Sequence, residues 1–544
     1  MTATGSTPSS VCPVCHTPTP PRVLAEAGWL APNVLKRLVQ RNPRWQLADG
    51  ACPACVQQAL LQVLAEEGEA ALHAGLQATW PLDAEAAFGA LPTPLRLHAD
   101  PRYDGSGVTV ALVDSAFYPH PDLTEPRNRI RAWVDASRED GVALTFAPET
   151  QPRWPGWDSG DSAQWHGLMT SAVAAGNGWL SHGLYRGIAS EVELVLVQVR
   201  DRDRPEGITN RTLARALRWL GQHGPALGVR VVNLSVAGDA VWPLRGNAVD
   251  TAVAALVTQG ITVVAAAGND GRRQLVPPAT APLALTIGGL DDQNTFDHDA
   301  VMLWHSNYGE AVTGAHKPEV VAPSLWVAAP LLPDTPLALR AKYLFARRAA
   351  TAAAADPAAE SEIAADKLIS PYYQHVEGTS FAAPIVSSVI ACMLQANPAL
   401  SPGQVRELLI ASAQPVPGAP VERQGHGAIQ GGQAVSLALA SGMGWPIHEA
   451  RSPVVCPEGV TFRLNSTSAR DVRVVGSWDG WQQPGLEMKH VVPGVWEGQL
   501  SNLEAGEYAY KYVCNGRDWL ADPANAAQSG DSYGGWNSIL IVPG

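Results

Sequence analysis

Positive charge is scarce in this chain. Its 544 residues carry 38 Lys+Arg against 51 Asp+Glu, a formal net charge of −13, and only 16% of positions are charged. Without a basic footprint there is little to drive binding to phosphate backbones or to an anionic bilayer, so neither nucleic acid nor a membrane is expected as a partner. Long apolar runs are missing too. The most apolar stretch, Ile261 to Gly268 (ITVVAAAG), falls far short of the roughly 20 residues of a membrane helix, and no transmembrane segment is expected. The opening MTATGSTPSSVCPVC has no basic start, apolar stretch or small-residue cleavage site, which makes the cytoplasm the expected location. Seven cysteines are an odd count, a poor basis for a disulfide framework in a reducing compartment. What is present, 46% hydrophobic residues and a mean hydropathy of −0.03, suffices to bury a large core. At about 150 residues per domain the length predicts three or four domains.

The spacing of the cysteines carries more than their number. Four stand as Cys12-Pro-Val-Cys15 and Cys52-Pro-Ala-Cys55, two knuckles joined by a segment with helical spacing at Leu30, Val34, Leu35 and Leu38. Each CxxC turn can offer two thiolates to one tetrahedral ion, so the pattern predicts a single Zn²⁺ held by all four. Four thiolates close the coordination sphere, which favours a structural over a catalytic site. This module is expected over residues 1–75, followed by an Ala/Glu-rich helical linker over 76–100 that ends in LPTPLRLHADP.

From 101 to about 445 apolar β-branched runs alternate with helical stretches: VTVALVDS then HGLMTSAVAAG, VELVLVQV then TLARALRWL, VRVVNLSV then NAVDTAVAALVTQG. Runs apolar on both faces suit strands of a parallel sheet covered by crossover helices, so the fold class is a doubly wound α/β domain. An Ala-rich helical segment over about 333–370 breaks this rhythm as an insertion. It either covers a cleft or decorates the surface. Over 452–544 the pattern changes to short alternating strands separated by Gly, Pro, Asp and Asn, the signature of a small β-sandwich.

Three strand ends deliver polar residues where connecting loops carry chemistry: Asp114 after VALV, His166 opening HGLMTSAVAAG, and Ser380 in EGTSFAAPIVSS. A serine hydroxyl is a weak nucleophile near neutral pH and needs a base, which in turn needs an acceptor to hold its tautomer. With the chain order Asp, His, Ser and the motifs GVTVALVDS, HPDL, HG, VVNLSVAG, VVAAAGNDG, KPEVVAP and GTSFAAP, residues 103–442 resemble the subtilisin-like serine peptidases. The resemblance implies Ser380 as nucleophile, His166 as general base, Asp114 as the residue orienting the imidazole and Asn269 as a side-chain oxyanion donor. It places Ser235 and Gly238 along an extended protein or peptide substrate. The chain departs from the family pattern at Ala116, at Leu168-Met169 and at Ser324, and Trp154, Trp157 and Trp165 crowd the approach to His166. Asp122 matches a position that often binds Ca²⁺ in the family, although the accompanying ligand loop is not recognisable.

The segment from VRVVGSWDGWQQPG to SYGGWNSILIV resembles the glycogen-binding modules of AMP-activated kinase β subunits and related domains of branching and debranching enzymes. That resemblance implies stacking of glucose rings on Trp481 and Trp519, hydrogen bonds from Lys511 and Asn537, and a threading side chain at Tyr533, with glycogen or another α-glucan as ligand. Trp478 and Trp496 are expected to pack the sandwich. The expectation is therefore an intracellular serine endopeptidase carrying a zinc module and a glucan-binding sandwich. Its competitors are a catalytically silent peptide-binding protein and a glucan-associated scaffold on the same fold.

Overall fold

The computed structural model describes residues 11–16, 32–46, 49–67, 90–181, 183–200, 207–241, 246–294, 301–350, 356–443, 452–456, 459–466, 469–492, 495–522, 524–525, 527–533 and 536–542. Most of the expected linker, residues 76–89, lies outside them.

The centre of the molecule is a nine-stranded sheet. Its strands are β1 (Thr109–Asp114), β2 (Ile130–Asp135), β3 (Ala143–Thr145), β4 (Glu193–Gln198), β5 (Val229–Leu234), β6 (Thr262–Ala266), β7 (Leu285–Asp291), β8 (Met302–Leu303) and the edge strand Val320–Pro323. The spatial order is Val320–Pro323, β7, β6, β5, β1, β4, β2, β3, with β8 also on β7. β3 and β8 run antiparallel to their neighbours; the other pairs are parallel.

Every residue of β1 is buried, and the two-residue period of a strand explains how. Val110 and Leu112 enter a core shared with the helices Gln164–Ala175, Thr379–Ala396 and Gly431–Gly442. Ala111 and Val113 enter a second core under Asn210–His223 and Ala248–Thr258. Removing one such contact, Leu112→Ala, would cost about 2–5 kcal/mol. The helix starts are set by their own sequences: Thr209 and Thr212 form a reciprocal cap, and Asn247 accepts from the amides of Val249 and Asp250. Thr379–Ala396 is long and apolar enough to cross a bilayer by composition, yet it is mostly buried as the central helix of the first core.

Residues 90–99 are almost wholly buried. Arg96 anchors this segment with two 2.7 Å bonds to Asp292 and two 2.8 Å bonds to the carbonyls of Leu325 and Trp326. The insertion is a helical hairpin, Pro336–Ala350 and Pro357–Ala365, carried between the antiparallel strands Val327–Pro330 and Tyr373–Val376. Leu331, Leu344, Phe345, Ile363 and Leu368 form its own small core, and Arg347 clamps Asp356 at 2.6 and 2.9 Å across the connection. At its root, Asp334 comes close enough to Tyr118, four residues past Asp114, to add to the burial that raises the tyrosine's pKa.

The C-terminal unit is a sandwich of a four-stranded and a six-stranded antiparallel sheet. Phe462, Tyr510, Tyr512, Val474 and Leu540 fill its core. Asp522, fully buried, accepts from both tyrosine hydroxyls at 2.6 and 2.9 Å, and burial pushes its carboxyl up to about 6.

Candidate functional site

Parallel strands that all end on one edge bring together residues far apart in sequence. Asp114 is the last residue of β1, Ser235 follows β5, and Asn269 lies just beyond β6. His166 sits in the first turn of Gln164–Ala175, and Ser380 is the second residue of Thr379–Ala396. Gly167 makes the first of these placements possible. A Cβ there would lie 1.9 Å from the carbonyl oxygen of Ala116, so only glycine lets the helix press against the loop after β1.

Asp114 is fully buried, yet its carboxylate is well supplied with donors. Oδ1 faces His166 Nδ1 at 2.7 Å and accepts from the Ser115 amide at 2.6 Å. Oδ2 accepts from Thr170 Oγ1 at 2.8 Å. Thr170 lies one helical turn after His166, so one helix face supplies both partners of the carboxylate. Burial alone would press the His166 pKa down, but the charge of Asp114 and its hydrogen bond outweigh burial, and the value lies above the ordinary 6.5. With Nδ1 committed to Asp114, Nε2 is left for proton exchange. The His166 ring is 6.0 Å from that of Phe381, the neighbour of Ser380.

The Ser380 hydroxyl donates to the Ser235 carbonyl at 3.3 Å, a long bond that is easily exchanged. Ser235 Oγ in turn donates to the Ser380 carbonyl at 2.8 Å and accepts from Asn233 Nδ2 at 2.9 Å. Gly238 gives its amide to the Pro277 carbonyl at 2.9 Å, so that N–H is not available to a substrate strand. Asn269 is oriented by its oxygen: Oδ1 accepts from the Thr379 amide at 3.0 Å and from Thr379 Oγ1 at 2.8 Å. Its Nδ2 is left near Gly378, whose φ of +127° only glycine adopts readily and where a Cβ would lie 3.2 Å from that nitrogen. The Ser380 amide is one of the unpaired N–H groups at a helix start. A substrate carbonyl oxygen seated here would meet both donors.

The three tryptophans divide. Trp154 is buried and stacks on Trp133 at 5.5 Å, whereas Trp157 packs against Tyr118. Trp165 is 42% exposed and stands edge-on to His166 at 5.3 Å. Asp122 is fully buried; its carboxylate accepts from Tyr373 Oη at 2.7 Å and the Leu180 amide at 3.4 Å. Both oxygens are thus engaged by protein donors.

Cys12, Cys15, Cys52 and Cys55 converge, with all four sulfurs within 4.8 Å of one another and contacts of 3.9 Å (Cys12 to Cys55) and 3.7 Å (Cys15 to Cys52). Thiolates about 2.3 Å from a central ion stand about 3.8 Å apart, so the set fits one tetrahedral metal. The Cys52 amide also donates to Cys12 Sγ at 3.4 Å. The sulfhydryl of Cys55 holds Cys52 down to about 5, and the same contact drives Cys55 up.

On the sandwich, strand alternation turns Tyr510 and Tyr512 inward and Lys511 outward, while Ser538 faces in and Asn537 out. Trp519 pairs across from Val513 on the same outer side. Its ring lies 6.4 Å from that of Trp481, and Trp519 and Tyr533 are 44% and 96% exposed. Lys511 pairs with Asp531, which also accepts from the Tyr533 amide at 2.8 Å. Trp478 and Trp496 pack against the core, as expected.

Residues 105–427 match the family model described as the subtilase family, and residues 451–526 match carbohydrate-binding module 48 (isoamylase N-terminal domain). The chain is similar to serine protease AprX of Bacillus subtilis (strain 168), 28% identical over 314 residues, which are 56% of this chain and 61% of AprX. It is also similar to Subtilisin BL of Lederbergia lenta, 26% identical over 306 residues, 56% of this chain and 82% of that protein. The match therefore spans less than two thirds of AprX. Among solved structures, the prenylagaramide maturation protease PagA aligns over 60% of this chain and 94% of its own, with a TM-score of 0.40 and 19% identity.

Proposed function

The chain belongs to the subtilase family, and we propose that it is a serine endopeptidase acting through Asp114, His166, Ser380 and Asn269. Ser380 Oγ turns from the Ser235 carbonyl, gives its proton to His166 Nε2 and attacks the scissile carbonyl carbon. The oxygen of that carbonyl takes the negative charge between the Ser380 amide and Asn269 Nδ2. His166 then hands the proton to the departing amine as the C–N bond breaks, leaving an acyl-enzyme. Water, deprotonated by the same nitrogen, releases the acid and restores Ser380. Asp114 keeps the imidazole in the Nδ1–H form and stabilises its cation. The observation that carries this reading is the fixing of Asn269 by Thr379, which leaves a donor facing the Ser380 helix start. A silent peptide-binding platform has no need of it. Degradation of unfolded casein tests the reading: the wild type is expected to degrade it and Ser380→Ala to leave it intact, and casein left intact by folded wild type would refute it.

We further propose that the four cysteines hold one structural Zn²⁺. Elemental analysis of the Cys12→Ser/Cys52→Ser chain is expected to lose the zinc of the wild type, and undiminished zinc would overturn this ligand set. A thiolate metal site and an odd number of cysteines favour a reducing, cytoplasmic setting. The outer face of the sandwich, with Trp481, Trp519, Lys511, Tyr533 and Asn537, is proposed to bind α-glucan such as glycogen and so to concentrate the peptidase near glucan-associated proteins. Flat rings pack against the C–H faces of sugars, while a fixed ammonium and amide pair with hydroxyls.

A further inference from the structure

The loop that carries Asn269 is gripped from two sides. From the helix side, Thr379 donates to the Asn269 side-chain oxygen, and Thr379 Oγ1 accepts from the Gly268 amide at 3.0 Å. From the other side comes the segment 304–308, which follows β8. The Asn307 amide donates to the Gly268 carbonyl at 2.9 Å, and Asn307 Oδ1 accepts from the amides of Asp270 at 2.9 Å and Arg272 at 3.1 Å. His305 Nδ1 lies 2.9 Å from the carbonyl oxygen of Asn269 itself. A carbonyl oxygen can only accept, so this contact puts a proton on Nδ1.

The Asn269 carbonyl and the Asp270 amide are the two ends of one planar peptide unit. His305 holds one end and Asn307 the other, so the plane cannot turn without breaking a bond. Asn307 is buried, and its polar atoms need protein partners. His305 is exposed, where water could serve the carbonyl as well. Its imidazole is nevertheless stacked on the buried indole of Trp304, with ring centroids 3.8 Å and planes 30° apart. The stack fixes the ring and the ring fixes the carbonyl, an order beyond what burial demands.

We propose that His305 is a positioning residue of the oxyanion site: by holding the Asn269 carbonyl it keeps Nδ2 aimed at the place where the substrate oxygen takes up charge. The proposal rests on the peptidase reading above and adds to it a residue that acts through Asn269. Donors are worth most when they need not move as charge develops. Thr379 steadies the side chain of Asn269 and His305 its main chain, so the amide nitrogen is fixed from both ends. Thr379 and Asn307 remain when His305 is removed, and the loss is therefore partial.

The test measures kcat and KM of the full chain on a chromogenic peptide anilide. His305→Phe keeps a ring for Trp304 and removes the donor, whereas His305→Asn keeps an N–H close to the place of Nδ1. His305→Phe is expected to lower kcat about threefold to tenfold at nearly constant KM, the effect of one neutral hydrogen bond, and His305→Asn to recover most of that loss. In an Asn269→Ala background the same His305→Phe change should alter kcat by less than about twofold, because the group it positions is gone. No loss in His305→Phe, an equal fractional loss in both backgrounds, a raised KM at unchanged kcat, or a His305→Asn no better than His305→Phe would overturn the proposal and leave the peptidase reading standing. Folded wild type that does not cleave the anilide would sink that reading, and this proposal with it.

Discussion

The proposed catalytic corner and the proposed glucan face of the sandwich are built on opposite plans. In the corner, the polar groups are committed before any substrate arrives: Asp114 faces Ser115, Thr170 and His166, and Asn269 Oδ1 takes two donors from Thr379. On the sandwich, Tyr533 is 96% exposed and Trp519 44%, and the fixed polar feature is the Lys511–Asp531 pair. A site that must stabilise charge as it develops needs dipoles that do not reorganise. One that recognises a neutral, flexible chain gains most from shape and can leave its rings in water. Losses in the first are therefore expected in orders of magnitude, and in the second in a few kcal/mol.

The strongest way to break that contrast is Ser380→Ala, expected to lower kcat/KM on a peptide substrate by on the order of 10⁴–10⁶-fold, with glucan binding unchanged. Asn269→Ala comes next, expected to cost about 10²–10³ in kcat with KM nearly constant, because the donor meets the oxyanion rather than the ground-state carbonyl. An increase in KM at constant kcat would instead make Asn269 a substrate-binding residue. On the other side, Trp519→Ala is expected to cost about 1–3 kcal/mol of glucan affinity, roughly fivefold to 150-fold, with caseinolysis untouched.

The smallest effect sharpens the comparison most finely. Cleavage needs His166 unprotonated, and its pKa is raised above 6.5, so activity should fall on acidification through a midpoint above that value. The stability supplied by the His166–Asp114 pair runs the other way: it is complete below the unfolded-chain value and is lost as pH rises through the folded one. Thr170→Val removes one donor from Asp114 and leaves more negative charge facing the imidazole. It should lower kcat about twofold to tenfold and move the acid limb further up in pH, whereas Thr170→Ser should restore both. A lowered kcat with an unmoved limb would make Thr170 a packing residue alone.

The parts of this arrangement that were legible in the sequence are those written locally. Asp114 closes an apolar strand, Ser380 opens a helix within a short motif, and paired CxxC turns announce a thiolate cluster, whereas the choice of Asn269 rested on the resemblance to the subtilisin-like peptidases. Subtler local signals were available but weak: Thr170 is one turn from His166, and Thr379 precedes Ser380. What could not be read depends on chain segments that meet only after folding. Tyr373 reaches Asp122 from 251 positions away, a hydrogen bond that no local pattern announces. Arg96 ties the segment after the expected linker to Asp292, because a buried guanidinium finds its carboxylate through tertiary packing alone.

The central claim, that the corner formed by Asp114, His166, Ser380 and Asn269 is a working nucleophilic site, is tested most directly by reacting the full chain with a fluorophosphonate and locating the adduct by mass spectrometry. The expected result is a single phosphonylated residue, Ser380, in the wild type, no adduct in Ser380→Ala, and much slower labelling in His166→Ala. Folded wild type that remains unlabelled at Ser380, or labelling at Ser380 that proceeds equally fast without His166, would contradict it.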